Sequence, residues 1–105
     1  MSFLDEAKDL VPELLQFRHY IHEHAETGFE LPLTTKAITS RLDAMDVPWE
    51  MIGGGIVATV GKGEKNILVR SEMDALPMPE ENDLPFRSHT NKAHMCGHDL
   101  NATLL

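Results

Sequence analysis

The chain has 105 residues, the size of one common domain, and 42% of them are apolar, enough to pack a core rather than remain disordered. A formal net charge of −8 excludes nucleic acid and anionic membranes as expected partners, because both require a basic face and no run of Lys or Arg supplies one. The first residues mix Asp5, Glu6 and Asp9 among apolar positions, unlike a secretory signal, and no stretch nears the ~18 consecutive apolar residues of a membrane span. The single cysteine, Cys96, cannot form an internal disulfide and suits a reducing compartment, so a cytoplasmic location is expected.

In chain order, residues 3–24 read as a helix, with Ala7, Leu10, Leu14, Phe17 and Ile21 recurring at three- and four-residue steps as one apolar stripe. Ser2 is the expected N-cap, and Pro12 predicts a division of this helix into two pieces. A loop over 25–33 leads to a second helix over 35–46, capped by Thr34 or Thr35 and burying Ala37, Ile38, Leu42 and Met45. Residues 49–52 predict a short strand and Gly53-Gly54-Gly55 a turn. Residues 56–60 form a β-branched run, which residues 61–65 should connect as a hairpin turn to another strand over 66–73. The continuous apolar core of that last strand, Ile67-Leu68-Val69, predicts cover on both faces. Residues 74–93 are rich in Pro, Asn, Asp and Ser and read as a long loop, a feature that is usually functional at such length. Residues 99–105 resemble the opening of a helix with Asp99 as its cap. Helices first, strands next and a helix at the end describe an α/β domain, of which this is the front portion.

Chemistry concentrates near the end. Three of six histidines, His89, His94 and His98, fall in the last seventeen residues. In Cys96-Gly97-His98-Asp99, a thiolate and an imidazole two positions apart can point the same way in a looped segment, with Gly97 allowing the bend. Both are good ligands for zinc and similar divalent ions, and Asp99 could either cap the helix or orient His98. A lone cysteine is also commonly a small core residue. The second cluster, Arg70-Ser71-Glu72-Met73-Asp74, places carboxylates where an apolar strand ends, the position at which open α/β sheets hold ligands; an ordinary acidic loop salt-bridged by Arg70 reads equally from the residues. His22, Glu26 and Glu30 could suggest metal binding, but a solvated face with a capping histidine is the simpler expectation.

Taken together these motifs resemble the metal-dependent aminoacylase/carboxypeptidase-type amidohydrolases, in the branch of N-acyl-amino-acid amidohydrolases, hippurate hydrolases and indole-acetyl-amino-acid hydrolases. The likeness rests on Arg18-His19-Tyr20-Ile21-His22 with Glu26-Thr27-Gly28-Phe29-Glu30, on Thr35, on Gly55-Ile56-Val57-Ala58 and Ile67-Leu68-Val69-Arg70, on Glu72-Met73-Asp74-Ala75-Leu76-Pro77, and on His94-Met95-Cys96-Gly97-His98-Asp99. It implies the N-terminal part of a zinc-peptidase-like α/β catalytic domain spanning 1–105: two helices, a β-hairpin or sheet and the start of a helix, without the smaller lid domain. By the same resemblance Cys96 and His98 would be ligands of a two-metal centre of Zn, Mn or Co, which activates water and polarises the scissile carbonyl. Asp74 would be the catalytic strand-end acid. The substrates would be small N-acyl amino acids or peptides.

The chain departs from the family pattern in several places. Ala25 replaces a proline, Glu72 an aspartate, and Asn101-Ala102 a His-Thr pair. The family's later glutamate pair, which includes the general base, and its further histidine ligands do not occur within 1–105, so the chain by itself is expected to be inactive. Its open strand edge is expected to promote self-association. Two other readings stay open: a non-catalytic metal-binding or interaction module using His94 or His89 as a third ligand, and a thiol enzyme based on Cys96.

Overall fold

The structure, a computed structural model, describes residues 2–105. Its elements are α1 (Phe3–Glu23), α2 (Pro32–Ala44), β1 (Trp49–Ile52), β2 (Gly55–Ala58) and α3 (His98–Leu104). Helix α1 begins with a reciprocal capping box: Asp5 N–H donates to Ser2 Oγ at 3.2 Å, and the Asp5 carboxylate accepts from Ser2 N–H. The helix runs through Pro12 unbroken, so the expected division into two pieces does not occur. Only its second half is covered. Leu10 is 50% exposed, whereas Phe17 is half-buried and Ile21 fully buried, so the apolar stripe meets partners only toward its C-terminal end.

Helix α2 starts two residues before the threonines expected to cap it, with Pro32 in its first turn and Leu31 as a cap that has no side-chain acceptor. The freed N–H groups are taken from a distance. Glu26, in the loop after α1, accepts from Leu33 N at 3.1 Å and from Thr34 N at 2.7 Å. Charge and geometry agree here, since a carboxylate at a helix N-terminus is stabilised by the aligned peptide dipoles. On the expected inner face Ala37, Ile38 and Leu42 are half-buried, and Met45 is exposed.

The antiparallel hairpin pairs Trp49 with Ala58 and Ile52 with Gly55, which leaves Gly53 and Gly54 as a two-residue turn. Both turn residues have positive φ, 58° and 85°, the combination a tight hairpin turn with the correct twist demands. The second expected hairpin is absent. Residues 66–73 form no strand, and Ile67 and Leu68 are 91% and 88% exposed. A strand exists only by sharing its backbone hydrogen bonds with a neighbour, and none of the described residues provides one for this segment.

The long loop after Asp74 is closed at its base. Leu76 and Ala93 exchange both backbone hydrogen bonds at 2.9 Å, forming an isolated bridge. This pin returns the chain to the start of α3, which packs on α1. The buried interior is accordingly composed of Ile21, Ala25, Leu31, Ala75 and Ala93 together with polar groups: His22, Thr34, Thr39, Glu80, Ser88, His94 and Asp99. No helix among the described residues is long and apolar enough to cross a membrane.

Candidate metal centre

Two polar constellations meet at the N-terminus of α3. The first faces solvent. His98, the first residue of α3, donates from Nδ1 to the Asp74 carbonyl at 2.9 Å and to Asp74 Oδ1 at 3.0 Å. Its Nε2 lies 2.9 Å from Glu72 Oε2. One ligand atom each from Glu72, Asp74 and His98 fall within 4.8 Å of one another. The carboxylates are 43% exposed and the imidazole 22%, so the cluster is open to solute. Carboxylate oxygens and an imidazole nitrogen suit zinc, manganese and cobalt alike, so the donor set fits a divalent ion.

Cys96 is exposed and stands outside this three-residue group. Gly97, between Cys96 and His98, has φ 87°, the left-handed conformation that glycine adopts without a Cβ penalty, and this turn starts α3. Asp99 does not cap the helix, because Gly97 occupies that position. Nor does it orient His98.

Asp99 belongs to the second, buried constellation. Its Oδ2 accepts from His22 Nδ1 at 2.8 Å and from Arg18 Nε at 3.1 Å. His22 Nε2 in turn donates to Glu80 Oε2 at 2.8 Å. Glu80 also accepts from Ser88 N at 2.7 Å through Oε1, and Arg87 holds its carbonyl. His22 is therefore 3% exposed and bridges two carboxylates, which corrects its expected place on a solvated face. Burial alone would raise the Glu80 carboxyl, but the His22 hydrogen bond, the Ser88 N–H and the nearby imidazolium outweigh it and hold the group below its ordinary range. Asp99 is lowered in the same way, with burial opposed by His22 and by the charge of Arg18. Arg18 and His22 were legible as a pair four residues apart on one helix face. Glu80 was not, since a loop has no periodicity to mark an inward side chain.

His94 lies between the two constellations, 4% exposed, its ring centroid 6.3 Å from that of His22. Neither ring nitrogen has a partner among the described residues. Burial lowers its affinity for a proton, offset only in part by the charge of Asp99. On the outer flank His19 stacks on Phe86 with ring centroids 3.8 Å apart, fastening the long loop to α1.

No family model matches the chain. Individual proteins do. It is 39% identical over its whole length to a hippurate hydrolase of Campylobacter jejuni, covering 29% of that protein. It is 40% identical over 84% of its length to an uncharacterised hydrolase of Staphylococcus haemolyticus, covering 24% of it. Among solved structures, 91% of the chain superposes on an aminohydrolase of methicillin-resistant Staphylococcus aureus with a TM-score of 0.84 and 33% identity, covering 26% of that chain. The same share superposes on a Bacillus subtilis protein, described as a dinuclear metal binding peptidase from the M20 family, with a TM-score of 0.78 and 30% identity, covering 28% of it. The chain thus spans between 24% and 29% of the length of these relatives.

Proposed function

Because the chain belongs to the M20 family of metal-dependent amidohydrolases and peptidases, we propose that it forms the N-terminal part of a catalytic domain that hydrolyses the amide bond of N-acyl amino acids or related small peptides. A reducing, cytoplasmic setting goes with that reading. Cys96 and His98 would hold a divalent ion beside Asp74. The observation that carries this is the clamp on His98: with Nδ1–H committed to Asp74, the ring presents Nε2 on the solvent side of the cluster, toward Glu72. A carboxylate or carbonyl on the far nitrogen is the usual means of fixing a ligating histidine's tautomer and aim. Cys96, exposed and one left-handed residue away, is free to turn its sulfur to the same side.

A divalent ion held there would supply Lewis acidity toward the scissile carbonyl. The chain's own residues do the positioning: Asp74 orients His98, and Glu72 adds negative charge that raises the local concentration of cations. Each carboxylate places one oxygen within 3.0 Å of the His98 ring. On this reading the 105 residues by themselves are expected to show no turnover.

Cobalt(II) titration of the chain, followed by visible absorption, tests the reading. A ligand-field band with a sulfur-to-metal charge-transfer shoulder is expected. Cys96→Ser should remove the shoulder, and His98→Ala should weaken binding at least tenfold. Cobalt binding that ignores both substitutions would refute the assignment. Incubation with zinc and N-benzoylglycine should release no glycine, and steady turnover would overturn the proposed inactivity. Absence of tight cobalt binding to the unmodified chain would also remove the non-catalytic metal-binding module as an alternative.

A further inference from the structure

His98 and Asp99 are neighbours in sequence but belong to opposite networks. Successive helical side chains diverge by about 100°, so fixing the direction of one in the first turn of α3 fixes the other. His98 points into the exposed cluster with Glu72 and Asp74. Asp99, fully buried, points back to α1, where Arg18 and His22 hold a single oxygen. The N-terminus of α3 has no side-chain cap of its own, so nothing within the helix sets its rotation. That task falls to the cross-link to α1.

His22 is the centre of this cross-link. Ionised carboxylates only accept hydrogen bonds, so an imidazole lying 2.8 Å from one at each ring nitrogen donates from both. The chain Arg18–Asp99–His22–Glu80 therefore alternates in charge and sums to neutrality, which is the condition under which buried ions are tolerated. It ties together α1, the start of α3 and, through Glu80 and the Ser88 amide, the loop whose base is pinned at Leu76 and Ala93.

We propose that His22 is a positioning residue: through Asp99 it sets the rotation of the first turn of α3 and so aims the His98 ring at the Glu72–Asp74 cluster. This rests on the metal-site reading above for its use, but not for its geometry. Among the described residues, His22 hydrogen-bonds to Asp99 and Glu80 and to no member of the cluster. Its influence runs through the Asp99 link, while the Glu80 link anchors the loop.

The two links can be cut separately. The amide nitrogen of asparagine overlays Nδ1 of histidine and that of glutamine overlays Nε2. His22→Asn thus keeps the Asp99 link and loses Glu80, and His22→Gln does the reverse. The metal-free readout is the long-range proton–nitrogen correlation spectrum of the 105-residue chain, which reports whether the His98 ring is held in one hydrogen-bonded setting. The unmodified chain and His22→Asn should show one fixed set of His98 ring signals, whereas His22→Gln should show averaged ring signals. Cobalt(II) affinity should follow, weakened about 10- to 100-fold in His22→Gln and within about threefold of the unmodified chain in His22→Asn. Thermal midpoints recorded by circular dichroism accompany each variant.

Ring signals unchanged in His22→Gln, or lost equally in both variants in step with their melting points, would overturn the proposal. So would unfolding of both variants, which would make the role structural only. If the unmodified chain bound no cobalt while the ring signals behaved as expected, the metal reading would fail and the positioning role would stand.

Discussion

The two carboxylates that flank His22, Glu80 and Asp99, are acid-sensitive partners. Glu80, with an ordinary value of 4.5, is lowered in the folded chain, so the unfolded chain takes up its proton first as pH falls. Proton uptake by the unfolded state subtracts stability. The contribution of Glu80 is therefore complete above about pH 5 and disappears as pH drops through and below about 4. Asp99 acts in the same direction and in a slightly lower window. Urea unfolding followed by circular dichroism should give a midpoint that is flat between about pH 5 and 6 from these groups and falls steeply below about 4. Glu80→Ala leaves the buried imidazolium short of one acceptor, and it should cost about 3–5 kcal/mol at neutral pH by the same assay. An acid limb that is equally steep with and without Glu80 would show that this carboxylate is not a source of the pH dependence.

At the scale of elements, the hairpin and α1 show opposite relations between local and distant forces. The hairpin turn is locally determined by the positive φ of Gly53 and Gly54, and a Cβ on Gly54 would in addition lie 3.0 Å from the Phe29 ring. Gly54→Ala should therefore destabilise the turn by about 1–2 kcal/mol, visible as faster amide exchange at Ile52 and Gly55, whereas Gly53→Ala meets no atom and adds only the backbone term. Helix α1 is held at both ends by different means, its capping box at Ser2 and its packing at Ile21 and His22. Between them Pro12 withholds one hydrogen bond, and the surrounding Leu10, Val11 and Leu15 are about half exposed. Ser2→Ala should cost about 1 kcal/mol, expressed as fraying of residues 3–6 in hydrogen exchange rather than as a lower global midpoint. A fall in the global midpoint would mean that the first half of α1 unfolds together with the rest.

As a whole molecule the chain is spread rather than compact. Its radius of gyration is 14.8 Å, against about 13 Å for a folded domain of this length. Apolar surface that a compact domain would bury stays open at Ile67, Leu68 and Val69 and at Leu104 and Leu105. Residues 66–73 have strand composition and unused backbone donors and acceptors, the combination that pairs readily with another chain. Sedimentation velocity should show concentration-dependent self-association, reduced by Leu68→Lys, because a charge on an edge opposes pairing. A single monomeric boundary at all concentrations would contradict this.

The sequence by itself determined several features that rest on neighbours along the chain. The start of α1 follows from Ser2, the first hairpin from the glycines that precede a β-branched run, and the length of the loop after Asp74 from its composition. It also marked Asp74, Cys96 and His98 as the residues to watch, through their chemistry and family likeness. The tertiary structure alone decided which faces were used. It left residues 66–73 without a partner strand, assigned the capping of α2 to Glu26, and brought Glu80 to His22 across 58 positions of sequence. It also turned Asp99 away from His98 toward α1. The physical reason is common to these cases: a tight turn or a capping box such as that at Ser2 is satisfied within a few residues, whereas a strand's hydrogen bonds, a helix start without its own cap and a buried ion's counter-charge must be met from wherever folding places a partner.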